Sequence, residues 1–232
     1  MSFGGGVNSV AMYLLLLEKG VEFEAVYVDH GADWPETGEY VKMFAKRFPL
    51  TILTPNVEGE TTLYGYCIKR GMMPSRIKRW CTDKFKVRIL MGYAKPPCFQ
   101  LIGIDAGESH RAKISSVAGV ENRYPLIEDG IDRAGCIDLI KRNGLPVPMK
   151  SGCYFCPYQR VSQWKKLRKE HPDLWCKAVG IEASTNRGRD ERGKNHIYLY
   201  GKDKPLSAIV NEQQNILPGM EEMEYPPCQC GL

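Results

Sequence analysis

No stretch of this sequence is long and apolar enough to cross a membrane. The longest apolar run, Val10 to Leu17, falls well short of the ~20 residues that a membrane-spanning helix requires. The N-terminus also lacks the basic and then apolar pattern of a secretory signal peptide. These absences predict a soluble, cytoplasmic protein with no membrane partner. Internal repeats and low-complexity segments are absent too, so the order of the predicted elements must indicate the fold.

The 232 residues, 43% of them hydrophobic, suffice for one α/β domain and a small appendage but not for two full-size domains. Nine cysteines are an odd number, and in a reducing compartment they indicate metal ligands or catalytic thiols rather than disulfides. The net charge of +5 is modest. Between Lys69 and Arg88, however, eight basic residues stand against the single acid Asp83. This basic strip would attract phosphate-rich ligands, or it is an ordinary solvated face.

Helix and strand patterns alternate over the first two thirds of the chain. Helices are predicted from Asn8 or Ser9 to about Lys19 and from Pro35 to about Phe48, and strands over 25–28, 50–53 and 99–104. Strands separated by helices predict a doubly wound, mostly parallel sheet with helices on both faces. Ligands of such sheets lie beyond the carboxyl ends of the strands.

The composition changes at about residue 121, where proline, glycine and cysteine become frequent. We therefore predict an α/β nucleotide-binding domain over 1–120 and a cysteine-containing, helical or irregular region over 121–232. Within the second region the patterns predict helices over 131–142, 158–169 and 206–212 and a strand over 197–200.

Three successive glycines, Gly4, Gly5 and Gly6, precede the first predicted helix. Because glycine has no Cβ, the backbone N–H groups can surround an anion closely, and the helix dipole favours negative charge there. Asn8 and Ser9 can add side-chain donors. A phosphate-binding loop is predicted, although three glycines also suit a plain tight turn. The loop lacks the lysine of a Walker loop, which excludes that motif.

The segment Ser2 to Ser9 resembles the PP-loop of the adenine nucleotide alpha-hydrolase superfamily, and more closely that of its phosphoadenosine phosphosulfate (PAPS) reductase-like branch. Four later segments match this branch in the same order, namely Val28–Thr37, Arg79–Thr82 with Lys84–Lys86, Gly103–Arg111, and Lys150–Pro157. The resemblance implies an adenine nucleotide alpha-hydrolase-like fold. It also implies an enzyme that binds ATP or a sulfonucleotide, either adenosine phosphosulfate (APS) or PAPS.

The resemblance further implies roles for individual residues. The nucleotide phosphates would be held by Ser2, Gly4, Gly5, Gly6, Asn8 and Ser9, and the adenosine would lie against Asp29, His30 and Gly31. Gly103, Glu108, Ser109 and Arg111 would face the same pocket, with Glu108 and Arg111 as catalytic residues and Arg111 suited to a phosphate or sulfate. A surface turn with a salt bridge is the alternative for this last group. Gly4 and Asn8 replace the usual serine and aspartate, and the short segment before the loop predicts a truncated first strand.

Cys153 and Cys156 form a C-x2-C pair, whose two thiolates can bind one metal centre. Cys81 and Cys136 are the best candidates for the other two ligands, with Cys176, Cys228 and Cys230 as rivals for the fourth position. A [4Fe-4S] cluster, which the resemblance implies, is favoured over zinc because zinc ribbons contain two such pairs. Free or redox-active thiols are the third alternative. Cys67 and Cys98 are predicted to be core residues.

Two enzymatic reactions fit this set of residues. In a sulfonucleotide reductase, Cys230 would be the nucleophile, because the ending Cys228–Leu232 resembles the Glu-Cys-Gly segment of those enzymes, and a thioredoxin-type protein would be the reductant. In an ATP pyrophosphatase and sulfurtransferase, the basic strip would bind a tRNA or DNA substrate. A non-catalytic nucleotide- or nucleic-acid-binding module is the third hypothesis.

Overall fold

The computed structural model describes residues 1–201 and 204–209. Its helices are α1 (Val7–Glu18), α2 (Pro35–Ala45), α3 (Leu63–Arg70), α4 (Trp80–Thr82), α5 (Arg88–Tyr93), α6 (Pro125–Glu128), α7 (Arg133–Arg142), α8 (Val161–Glu170), α9 (Pro172–Asp190) and α10 (Leu206–Ile209). A π-helical turn, Asp83–Val87, joins α4 to α5, and a 3-10 segment spans Ala106–Arg111. The strands are β1 (Val26–Val28), β2 (Thr51–Leu53), β3 (Cys98–Leu101) and β4 (Val120–Arg123).

The described strands form two parallel two-stranded sheets, β1 with β2 and β3 with β4. The extended segment of residues 1–3 lies between them. The N–H of Ser2 donates to Leu101 O at 3.0 Å, and the N–H of Phe3 donates to Val26 O at 2.9 Å. This segment therefore stands where the first strand was expected. The parallel direction of the strands is confirmed, whereas one continuous doubly wound sheet is not.

Helices cover both sides of β1, whose alternate side chains point in opposite directions. Tyr27 belongs to the main core with buried residues of α1, α2 and α7. Its neighbours Val26 and Val28 pack instead with Leu90 of α5 in a small cluster on the other face. The main core therefore lies on one face of the strands, and the opposite face carries only a thin apolar layer.

A second core joins residues from both predicted regions of the chain. Trp34, Phe85 and Trp164 are all buried in it, and α8 and α9 supply much of its apolar surface. The predicted strand at Ile197–Tyr200 is wrong, because this segment has no partner strand among the described residues. The N–H of Ile197 donates to the side chain of Asn186, and that of Leu199 donates to Glu182. The boundary at residue 120 stays a prediction.

None of the helices in the described part of the chain combines the length and apolar character that crossing a membrane demands.

Candidate functional site

The glycine turn leads directly into α1, with Gly6 as the N-cap residue. Gly5 has a φ of +68°, a left-handed conformation that glycine adopts without strain. A Cβ on Gly6 would lie 2.6 Å from Ser151 Oγ, so the missing side chain allows the turn to approach a distant segment. The N-terminus of α1 thus has the geometry of an anion site, because the first N–H groups and the dipole of a helix favour negative charge.

A cavity of about 160 Å³ lies where β1 and the segment of residues 1–3 end. Its polar lining residues are Ser2, Gly4, Gly6, Asn8, Ser9, Lys86, Gly103, Glu108, Arg111, Arg133, Lys150, Ser151 and Gly152. This position, beyond the carboxyl ends of parallel strands, is where α/β sheets bind their ligands. The structure therefore brings together most of the sequence-predicted nucleotide residues. Gly5 lies in the turn itself, behind the lining.

Positive charge dominates this cavity. Among its described lining residues, Lys86, Arg111, Arg133 and Lys150 are basic, and Glu108 supplies the only carboxylate. Burial lowers the pKa of the Lys150 ammonium, and the neighbouring Arg160 lowers it further. An anion that binds beside such a lysine favours its charged form and so offsets the depressed pKa. The cavity is thus suited to a phosphate or a sulfate.

Asn8 is fixed by two hydrogen bonds at the mouth of α1. Its Nδ2 donates to Asp105 Oδ2 at 2.9 Å, and its Oδ1 accepts from Arg133 Nη1 at 2.9 Å. The amide therefore links the glycine turn to α7. Gly103 allows this arrangement, because a Cβ there would lie 3.1 Å from the backbone of Asn8 and Ser9.

Glu108 and Arg111 form an ion pair whose side chains are only 10% and 13% exposed. Burial raises the pKa of the Glu108 carboxyl, although Arg111 opposes this shift. The alternative of a plain surface salt bridge does not describe this pair, because both residues line the cavity. Ser109, predicted to share the pocket, is exposed and lies outside the lining.

The predicted adenosine contacts at the end of β1 lie elsewhere. Asp29 and Gly31 are exposed, and neither residue lines the cavity. His30 is 1% exposed and faces the interior. Its Nε2 lies 3.6 Å from Asp33 Oδ1 and 3.8 Å from Cys153 Sγ. Burial lowers the pKa of this imidazole. The structure therefore groups His30 with the cysteines and not with the phosphate site.

Cys153 and Cys156 lie in one tight turn, since the N–H of Cys156 donates to Cys153 O at 3.1 Å. Cys81 packs in the same apolar cluster as Cys153. Lys86 lines the cavity and also interacts electrostatically with these thiols. Burial alone would lower the pKa of its ammonium, but Asp33 and the three thiols raise it above its ordinary value. One lysine therefore links the anion site electrostatically to the cysteines.

The other cysteines are dispersed. Cys136 is fully buried in the main core beside α1, so the structure does not bring it together with Cys153. Cys176 is exposed on α9. Cys67 is buried and Cys98 is half-buried. The predicted nucleophile Cys230 and its neighbour Cys228 lie outside the described residues.

The basic strip carries its own counter-charges. Glu58 pairs with Arg70 and Lys84, and Glu60 pairs with Lys69. These two acids lie in the loop before α3, so a count of charges over residues 69–88 does not include them. The strip is therefore less positive than its composition indicates.

Lys86, Arg133 and Lys150 are site residues that the sequence analysis did not name for the pocket. Lys86 and Lys150 belong to segments that match the PAPS reductase-like pattern, so their place in those segments was a usable signal. Arg133 begins a helix far along the chain from the glycine turn. No local pattern marks it, because only the packing of α7 on α1 brings it to Asn8.

No family model matches the chain. The uncharacterized protein MJ0973 of Methanocaldococcus jannaschii is 25% identical over 95% of this chain and 55% of its own length. A second uncharacterized protein of that organism, MJ0066, is 21% identical over 75% of this chain and 39% of its own length. The chain thus spans about half or less of these curated relatives.

Among solved structures, a phosphoadenylyl-sulfate (PAPS) reductase from Candida auris in complex with phosphate is similar to this chain with a TM-score of 0.48 and 19% identity. The match covers 64% of this chain and 73% of that one.

Proposed function

We propose that the chain is an enzyme that binds an adenine nucleotide or an adenine sulfonucleotide in the cavity and carries out sulfonucleotide reduction. One observation carries this proposal. Four basic residues from separate segments converge with the N-terminus of α1 on a single cavity, and one of them, Lys86, also interacts electrostatically with three thiols. An anion site near thiols supports sulfur chemistry on a bound sulfate, with the three thiols as ligands of a metal centre and a further cysteine as the nucleophile.

The nucleotide phosphate is assigned to the glycine turn. The N–H groups at the start of α1 donate to its oxygens, and Arg133 and Lys150 neutralise its charge. The sulfate end is assigned to Arg111 and Lys86, which line the same cavity. Glu108 holds the Arg111 guanidinium in place through their ion pair.

In the proposed reaction, a cysteine thiolate attacks the sulfur of the bound sulfate. A sulfur–sulfur bond forms, and the sulfur–oxygen bond to the phosphate breaks. The nucleotide leaves with that electron pair, while Arg111 and Lys86 stabilise the negative charge that develops on its oxygen. A thiol of a thioredoxin-type reductant then attacks the enzyme thiosulfonate, so that a disulfide forms and sulfite departs. Cys230, outside the described residues, is the proposed nucleophile.

The set of three cysteine thiols also fits a metal centre. Cys81, Cys153 and Cys156 provide soft donors in a largely buried setting, which suits zinc or an iron–sulfur centre. These three residues would hold the metal. When bound, it would place positive charge or redox capacity beside the sulfonucleotide.

The test measures sulfite released from APS or PAPS with thioredoxin as reductant, together with calorimetric binding of APS, PAPS and ATP. Arg133→Gln should weaken binding about ten- to hundredfold, because a hydrogen bond to a charged group contributes roughly 1.5–3 kcal/mol. Arg123→Gln is the matched control, since Arg123 pairs with Glu128 outside the cavity.

Absence of sulfite with both substrates would reject the reductase activity. Pyrophosphate release from ATP in the presence of tRNA or DNA would support the sulfurtransferase alternative instead. If Arg133→Gln and Arg123→Gln bound the nucleotides with equal affinity, the cavity would not be the binding site.

A further inference from the structure

Three side chains of different ligand chemistry meet behind the cavity. They are His30, Asp33 and Cys153, and their ligand atoms all lie within 4.8 Å of one another. His30 Nε2 is 3.6 Å from Asp33 Oδ1 and 3.8 Å from Cys153 Sγ. Two donors that bind one zinc ion at about 2.0–2.3 Å with a tetrahedral angle lie roughly 3.5 Å apart. The group already has the spacing of ligands that share one ion.

Burial separates this group from an ordinary surface cluster of acids. The side chains of His30 and Asp33 are 1% and 7% exposed. The second carboxylate oxygen of Asp33 accepts a hydrogen bond from Tyr27 at 2.7 Å, which leaves Oδ1 directed at His30. A carboxylate that is fixed by an outer hydrogen bond is the usual arrangement of a metal ligand.

The imidazole directs Nε2 at Asp33 and Cys153, and the cost of metal binding falls on its other ring nitrogen. Its Nδ1 accepts a long hydrogen bond, 3.3 Å from the N–H of Ala32. Metal binding at Nε2 requires the imidazole proton on Nδ1, where it would face the Ala32 N–H, so the metal–ligand bonds must outweigh the lost contact and the two opposed donors. Cys153 would release its thiol proton to solvent as the metal binds.

We propose that His30, Asp33 and Cys153 bind a single zinc ion, with Cys156 of the same turn as the adjoining thiolate. This inference rests on the metal centre of the proposed function, and His30 and Asp33 take the place of Cys81 and Cys136 in its ligand set. It also replaces the iron–sulfur cluster expected from the sequence with a single zinc ion. Iron–sulfur clusters are held mainly by cysteine thiolates, whereas nitrogen, oxygen and sulfur donors within one ion's reach are typical of mononuclear zinc.

The experiment uses the full chain, purified without oxygen from medium that contains both zinc and iron. Metal is counted by mass spectrometry, and the ligand set is examined by the absorption spectrum after cobalt replaces zinc. The variants are His30→Ala and His30→Cys, with Cys136→Ser as the matched control. Circular dichroism verifies that each variant is folded.

We expect about one zinc per chain in the wild type and in Cys136→Ser, and loss of most zinc in His30→Ala, since a structural site needs its full ligand set. His30→Cys should keep zinc and show stronger thiolate-to-cobalt absorption, because a thiolate replaces a nitrogen. If His30→Ala does not fold, the cobalt spectrum of His30→Cys alone decides whether residue 30 is a metal ligand.

Four results would each overturn the proposed zinc site. They are iron with acid-labile sulfide in the wild type, zinc retained in His30→Ala, an unchanged cobalt spectrum in His30→Cys, and zinc lost from Cys136→Ser. A wild type that takes up no added zinc would overturn it too. ATP binding, measured on the same preparations, separates a failed metal site from a failed nucleotide site.

Discussion

Asn8 forms hydrogen bonds with two charged side chains of opposite sign. Its Nδ2 donates to Asp105, and its Oδ1 accepts from Arg133. An amide can do both, whereas a carboxylate can only accept. This explains how asparagine functions at a position where the resembling family has aspartate.

We expect Asn8→Asp to weaken ATP and APS binding about tenfold or more, because it would set a second carboxylate beside Asp105 and add negative charge to an anion site. Titration calorimetry measures this change. Asn8→Ala removes both hydrogen bonds of Asn8 without adding a charge, and it should weaken nucleotide binding less than Asn8→Asp does. Unchanged affinity in the aspartate variant would show that the cavity does not bind the phosphate.

Glu182 is a buried carboxylate outside the site. It is 4% exposed and accepts the N–H groups of Leu199 and Leu206 at 2.9 and 2.8 Å. Burial raises its pKa above the ordinary 4.5, although the two backbone bonds oppose the shift. The native carboxyl therefore keeps its proton to a higher pH than the unfolded chain does.

It follows that the Glu182 contribution to stability should fall as the pH rises from about 4.5 through the raised pKa and then level off. Urea unfolding of the wild type and of Glu182→Gln between about pH 4 and 8 measures it, because the difference cancels the other titrating groups. A difference that does not vary with pH would contradict the assignment.

At this scale, the sequence predicts those site residues that share a contiguous motif. Asn8, Ser9 and Glu108, for which the resemblance implied phosphate-binding and catalytic roles, all line the cavity, and those roles stay predictions. Arg133 could not be predicted, because its role arises from the packing of α7 on α1. The adenosine contact expected of His30 stays a prediction, and its side chain lies beside Cys153 and not in the cavity lining, because the direction of a side chain after a strand depends on the loop, here with Gly31 at a φ of +65°.

Among the elements, the loop before α3 has a specific electrostatic effect. Glu58 and Glu60 neutralise part of the basic strip, although each exposed pair contributes only about 0–1 kcal/mol to stability. On the sulfurtransferase alternative, in which the strip binds nucleic acid, Glu58→Gln should bind DNA more tightly and with a steeper dependence on salt, because Arg70 and Lys84 lose their acidic partner.

Fluorescence anisotropy with a single-stranded oligonucleotide at several salt concentrations measures this effect. Glu121→Gln removes an acid that pairs with Arg123 on β4 and serves as the control. Equal DNA affinity of the two variants would show that the strip does not contact nucleic acid.

The helices differ in how well sequence patterns predict them. α1, α2 and α7 have clear apolar patterns, and the sequence places them within a few residues of their true ends. The 19-residue α9 was not predicted, because its polar and apolar residues are mixed around the helix. The segment 197–200 looks like a strand by composition, but its N–H groups bond to side chains of α9 instead.

For the whole molecule, the cavity couples distant parts of the chain, since both the glycine turn and Lys150 to Gly152 line it. A ligand at a hundred times its dissociation constant should add about 2.7 kcal/mol to the free energy of unfolding. For a chain of this size, that corresponds to a Tm increase of roughly 5–10 °C.

Scanning calorimetry with AMP, and with adenosine as the control that lacks the phosphate, measures the increase. AMP should shift the unfolding of both predicted regions together. If only one of two separate transitions moved, the cavity would belong to one region alone.

The close approach of Gly6 and Ser151 also bears on the kinetics of folding. These residues lie far apart in the sequence, and only the missing Cβ allows the contact. Contacts between such distant segments form late, because the intervening chain must first become ordered. A phosphate ligand therefore meets its site only in the nearly finished fold. It should slow the rate of unfolding and leave the rate of folding almost unchanged.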